Sequence, residues 1–268
     1  MKKIISFVLL AVLIAAPARA GVKAPKDEKV KNVILIIGDG MGLGAAAAWM
    51  ANNDFGPTCF DRSQFAAIVK TYSANSKTTD SAAAATAMAT GHKTNNSMLG
   101  MLPDSTKPAS IARLAKEKGK SVGIVVTSYV LDATPGAFYA HVARRGERKN
   151  IAEDLIAFRP DVIVGGGRKY FTAPKYTDVN LVEKAKDAGF TYVGSPEEFY
   201  TTRATPILGL FDDGPEIEAT QTDSDLLTDL AGHTLEIIGA NKHGFFAMFE
   251  GSLIDHAAHA NNTEDVIW

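Results

Sequence analysis

The feature that most constrains this chain is an alternation. Short β-branched apolar runs recur along it, each followed by a stretch with helical character. Val33–Ile37 is the first run, five residues bounded by Gly38-Asp39-Gly40. A continuous apolar run of that length reads as a strand buried on both faces, as in parallel sheets. Further strands are expected at Phe65–Lys70, Val122–Thr127, Asp161–Val164, Thr191–Val193, Ile207–Phe211 and Phe245–Glu250. Helices are expected at 43–51, Ser81–Thr90, Ser110–Lys118, Pro135–Arg145, Ile151–Phe158, Leu181–Ala188 and Ser224–Ile238. Gly91 and Gly119 stand where helix C-termini favour glycine. Thr134 before Pro135 reads as an N-cap followed by a first-turn proline. Strands and helices alternating over the whole chain give an α/β fold with a doubly wound, mostly parallel sheet and helices on both faces.

Composition narrows the functional classes. The 268 residues are 46% hydrophobic and 22% charged, which excludes a disordered or collagen-like chain. Lys plus Arg is 28 against 30 Asp plus Glu, so there is no basic excess suited to nucleic acid. One cysteine, Cys59, excludes an internal disulfide framework and any multi-cysteine zinc site. Residues 1–20 have Lys2 and Lys3, an apolar stretch from Ile4 to Ala16, and Ala18-Arg19-Ala20. These are the three regions of a cleavable signal peptide, and the apolar stretch is shorter than the roughly 20 residues of a membrane span. Residues 21–29 read as a linker and 30–268 as the folded domain. The expectation is an exported protein, periplasmic or secreted, with no membrane attachment after cleavage. At the other end, Asn262 and Thr263 resemble an N-cap pair, and Glu264 and Asp265 suit a first helical turn. The sequence stops at Trp268, so the domain is expected to be truncated at its C-terminus.

In an open α/β sheet, ligands bind beyond the carboxyl ends of the strands. Asp39 follows the first strand. Asp132 and Thr134 follow the strand at 122–127. Glu250 ends the last strand, with Asp255 and His259 just after it. Carboxylates and histidine gathered at one edge suit zinc, magnesium or manganese. Each has a plainer reading too: Asp39 as a turn residue, Thr134 as a cap, Asp255 and His259 as a surface pair four apart on a helix. Thr79-Asp80-Ser81 precedes an Ala-rich helix. Ser81 there is a capped helix start, or a hydroxyl at the positive end of a helix where phosphate or an alkoxide is favoured. Arg144 and Arg145 suit a helix C-terminus, and one of them could fork onto phosphate oxygens. Gly42-Leu43-Gly44 with Ala47 matches a dinucleotide fingerprint only loosely, since no second strand carries the acid that should follow.

Five stretches together resemble the alkaline phosphatase family: NVILIIGDGMG (32–42), TTDSAAAATAMATGHKT (78–94), DATPGAFYAHVARR (132–145), DVIVGGGRKYF (161–171) and GFFAMFEGSLIDHAAHANN (244–262). The resemblance implies hydrolysis of phosphate monoesters through a phosphoserine on Ser81. It implies two zinc sites and one magnesium site. Asp39 bridges a zinc and the magnesium, with Ser81 beside that zinc. Asp132 holds the magnesium directly or through water, and Thr134 and Glu250 complete that set. Asp255 and His259 hold the other zinc. Arg145 clamps the phosphate, and His256 lies near it. The partners implied are small phosphate monoesters, and a homodimer is left open. A later Asp-His pair and a further His complete the family's zinc sites, and no residue of this sequence takes their place. His92, His141, His233 and His243 read as core or surface residues. The rival functions are a metal- or phosphate-binding protein without turnover, and a related phosphodiesterase or sulfatase. Against the sulfatase, Asp61 stands where the Cys-x-Pro-x-Arg motif needs proline, and Arg62 falls one place early.

Overall fold

The computed structural model describes residues 30–214, 217 and 225–267. The signal peptide, the linker and Ser224 lie outside them. The first half comprises β1 (Val33–Gly38), α1 (Leu43–Asn52), α2 (Ser81–Thr90), α3 (Ile111–Glu117), β2 (Ser121–Tyr129), α4 (Ala133–Gly136) and α5 (Arg148–Phe158). It continues through β3 (Val162–Gly166), α6 (Lys169–Thr172), α7 (Leu181–Asp187), β4 (Thr191–Val193), α8 (Pro196–Thr201) and β5 (Ile207–Leu210). The last elements are α9 (Leu226–Gly239), β6 (Phe245–Gly251), α10 (Leu253–His259) and α11 (Thr263–Ile267). The strands form one sheet in the order β1-β6-β2-β3-β5-β4, with every pairing parallel. The doubly wound α/β reading therefore holds.

Strand alternation builds two cores. Val122, Ile124, Val126, Ile163, Leu208, Phe246 and Met248 point to one face, under α2, α3, α5 and α7. Val125, Val162, Val164, Ile207, Phe245, Ala247 and Phe249 point to the other, under α8 and α9. Side chains alternate along a strand, so burial on both faces is what makes these runs continuously apolar.

One expected element is absent and another is cut short. Phe65–Lys70 is not a strand; Phe65, Ile68 and Val69 are exposed, and the stretch joins no strand among the described residues. The helix expected at Pro135–Arg145 stops after one turn. Its N-cap is Asp132, which accepts from Ala133 N–H, not Thr134. Beyond Ala140 the backbone turns to pair with a neighbouring loop. Leu99 and Val142 exchange both backbone hydrogen bonds at 3.0 Å, and Arg145 N–H donates to Ser97 C=O at 2.7 Å. Those donors and acceptors are no longer available to a helix.

Candidate functional site

Asp39 is the first residue past β1, and its N–H donates to Gly251 C=O across the strand ends. The turn that carries it needs glycine. Gly40 has φ +66°, and a Cβ there would lie 2.6 Å from the Asp255 carboxylate and 2.8 Å from the Asp255 Cα. That packing brings β1 and α10 together at the edge. Ser81 is the first residue of α2. Asp80 caps the helix by accepting from Ala83 N–H at 2.9 Å, and its second oxygen accepts from Ser97 N–H at 2.8 Å. With Asp80 so tied, Ser81 Oγ reaches Asp39 and donates to Oδ2 at 3.0 Å.

On the other flank, Arg145 Nη2 donates to Asp132 Oδ1 at 2.9 Å, and Nη1 lies 3.9 Å from Asp80 Oδ2. Arg145 thus spans the caps of α2 and α4. Arg144, the other member of the pair, is exposed. Burial works against the Arg145 charge, but Asp132, Tyr129 and Asp80 outweigh it and raise its pKa. Tyr129 is the last residue of β2; burial, with the charge of Asp132, raises its hydroxyl pKa.

The carboxylates strain against each other. Glu250 is 1% exposed. Burial pushes its carboxyl up to about 8; a Thr134 hydrogen bond lowers it, and the charges of Asp132 and Asp39 raise it further. Glu250 Oε2 is buried with no hydrogen-bond partner, as is the nearby Ser252 Oγ. Burial also raises Asp39; Ser81 offsets part of that, and Asp255 and Asp132 add to it. Acids in such a setting stay ionised when a cation joins them.

Asp255 and His259 share a face of α10, with His259 Nε2 3.5 Å from Asp255 Oδ2. His259 is 81% exposed on its side chain. His256 is half-buried on the same helix. Among the described residues, no three His, Cys, Asp or Glu side chains close around one point as a ready-made metal cluster. The other histidines lie apart, as expected. His141 contacts Gly100 C=O, and His233 is buried against Phe199 and Arg203. Asp80 and Tyr129 are the site neighbours that sequence reasoning passed over. Asp80 was legible as a cap but not as a second tether.

The alkaline phosphatase family profile matches residues 30–267. The chain belongs to the alkaline phosphatase family. Alkaline phosphatase 4 of Bacillus subtilis (strain 168) is 37% identical over 262 residues, covering 91% of this chain and 56% of the relative. Alkaline phosphatase 3 of the same bacterium is 36% identical, with 92% and 56% covered. The chain therefore spans little more than half the length of these relatives. The solved alkaline phosphatase of the Antarctic bacterium TAB5 superposes with TM-score 0.83 at 31% identity, covering 90% of this chain and 71% of that one. A variant of the TAB5 enzyme with magnesium bound in its M3 site superposes with TM-score 0.81 at 32% identity, covering 88% and 68%.

Proposed function

We propose that this chain carries the nucleophile half of a metal-dependent phosphomonoesterase, with Ser81 as the residue that becomes phosphorylated. The observation that carries the reading is the Ser81 Oγ–Asp39 hydrogen bond of 3.0 Å at a helix start, beside Arg145. A helix N-terminus offers free N–H groups and a positive dipole end to a phosphate, and α2 has ten residues. Ser81 Oγ attacks phosphorus, the ester P–O bond breaks, and the alcohol leaves with a proton. Water then attacks the phosphoserine, releasing phosphate and restoring the serine. Asp39 holds the Ser81 proton at Oδ2 before attack. Arg145 holds non-bridging oxygens in a fork.

The donor set fits hard cations. Asp39, Asp132, Thr134 and Glu250 offer oxygens suited to magnesium, and the unpartnered Glu250 Oε2 is the atom that asks for one. The TAB5 variant with magnesium in its M3 site supports this assignment. Asp39 with Ser81, and Asp255 with His259, would each supply part of a zinc site. Bound cations would supply Lewis-acid neutralisation of phosphate and serine oxygens. Residues 1–20 would direct export, and among the described residues no helix is long and apolar enough to cross a membrane.

A second reading is phosphate and metal binding without turnover. The exposed His259 and the open ligand geometry favour it. The deciding experiment purifies residues 21–268, adds zinc and magnesium, and measures monoester hydrolysis beside a chain extended with the C-terminal part of a Bacillus relative. The expected result is little turnover from the first and restored turnover from the second, lost again on Ser81→Ala. No turnover from a folded, metal-loaded extended chain would leave binding as the function.

A further inference from the structure

One loop touches both the segment that leads to Ser81 and the segment that ends in Arg145. Asn96 lies on this loop, and its side-chain amide reaches the lead-in to α2. Asn96 Oδ1 accepts from Asp80 N–H at 3.2 Å, and Nδ2 donates to Thr78 C=O at 3.1 Å. Its backbone N–H donates to Asn75 Oδ1 at 2.9 Å, which fixes the loop against the same lead-in. Ser97, next in the chain, gives its two backbone groups to opposite flanks. Its N–H donates to Asp80 Oδ2 at 2.8 Å, and its C=O accepts from Arg145 N–H at 2.7 Å. Ser97 has φ +77°, a left-handed conformation that an L side chain rarely adopts. The paired hydrogen bonds of Leu99 and Val142 hold the chain just beyond it. A plainer role would be closure of the loop itself. That task falls to Thr94, whose Oγ1 donates to Met101 C=O at 2.6 Å across the base. The bonds of Asn96 and Ser97 reach out of the loop, to both flanks of the site.

We propose that Asn96 is a positioning residue, and that Asn96 and Ser97 form a strap holding Ser81 and Arg145 in one fixed relation. Asn96 bridges the peptide groups on either side of Thr79, so the last residues before α2 are pinned. Ser81 Oγ then keeps its bond to Asp39, and the Asp80 carboxylate keeps one oxygen for Ala83 N–H and one for Ser97 N–H. Through Ser97 C=O the same strap sets the backbone from which the Arg145 guanidinium extends. A nucleophile and a clamp that are ordered before the ligand arrives need less rearrangement to meet it. The proposal rests on reading Ser81 as the nucleophile and Arg145 as the phosphate clamp.

The test uses the whole chain with magnesium and compares Asn96→Ala with Thr94→Val. The second change opens the base of the loop, and the hydroxyl it removes bonds neither flank. Amide exchange at Asp80, Ser97 and Arg145 is read by NMR against the β2 amides, which report global unfolding. Affinity for inorganic phosphate is read by equilibrium dialysis. Asn96→Ala removes the acceptor of Asp80 N–H, so faster exchange there is the direct effect. The strap adds a transmitted effect: the Ser97 and Arg145 amides, whose own acceptors remain, should exchange about threefold to tenfold faster, the worth of one hydrogen bond. Phosphate binding should weaken by a similar factor. Thr94→Val is expected to lower the melting temperature and to leave phosphate affinity and the Arg145 amide as they were. Unchanged exchange at Ser97 and Arg145 in Asn96→Ala overturns the strap, and so does an equal effect from Thr94→Val, which would make it loop stability alone. Faster exchange with phosphate affinity unchanged overturns the positioning role. A parent chain that binds no phosphate counts against the phosphatase reading, while the exchange comparison still decides the strap.

Discussion

The two margins of the site are built differently. On β6 and β2 the strand ends that carry Glu250 and Asp132 rest on side chains buried from both faces, among them Phe246, Met248, Val125 and Phe249. On β1 only one face is covered. Ile34 and Ile36 stand opposite Ala247 and Phe249 in register, yet they are 48% and 75% exposed while Ala247 and Phe249 are buried. The same contrast runs through the candidate site side chains. Glu250 is sealed and short of a partner; His259 is open to solvent. Chemistry set on interior strands is held before any ligand arrives. At the β1 margin, order has to come from what binds there.

Mutations sharpen that contrast. Phe246 stacks on Phe138 at 5.8 Å in the covered core, so Phe246→Ala should destabilise by ~3–5 kcal/mol in urea melts. Ile36→Ala, on the open face, should stay within ~0.5 kcal/mol. Equal losses would mean that the β1 face is covered in solution.

The next effect is a pH dependence. The Glu250 carboxyl has an ordinary value of 4.5 and is raised to about 8. Between those values the folded protein binds the proton and the unfolded chain does not. Stability of the metal-free chain should therefore fall as pH rises through this window, by at most ~1.4 kcal/mol per pH unit from this group. Glu250→Gln should flatten the slope, and magnesium should reverse part of it. A slope unaltered by Glu250→Gln would show that the group titrates normally. A smaller effect is expected at the α2 cap, where Asp80→Ala should cost ~1–2 kcal/mol by leaving Ala83 N–H and Ser97 N–H without their acceptor. At the open margin, His259→Ala should leave the melting temperature unchanged and reduce only zinc retention, measured by elemental analysis after dialysis.

The strands were legible because burial on both faces writes an unbroken apolar run, and α2 because Asp80 and Gly91 bracket it. Phe65–Lys70 misled for the same reason: an apolar run marks a surface that could be buried, and among the described residues no neighbour covers it. The stretch after Pro135 misled because a long-range pairing of Val142 with Leu99 overrides local helix preference. The strand-end rule picked out Asp39, Asp132 and Glu250, which the fold brings to one edge of the sheet. It could not find the packing of Tyr129 against Tyr170 of α6 and Arg148 of α5, or the second tether of Asp80 to Ser97. Those contacts join segments whose sequence separation carries no local signal.

Ser81 is proposed to carry the phosphoryl group, and covalent trapping is the direct test of that role. The chain, extended with the C-terminal part of a Bacillus relative and loaded with zinc and magnesium, is incubated with labelled phosphate, quenched in acid, and mapped by peptide mass spectrometry. Label is expected on the peptide holding Ser81 and none in Ser81→Ala. Label retained on another residue in Ser81→Ala would contradict it.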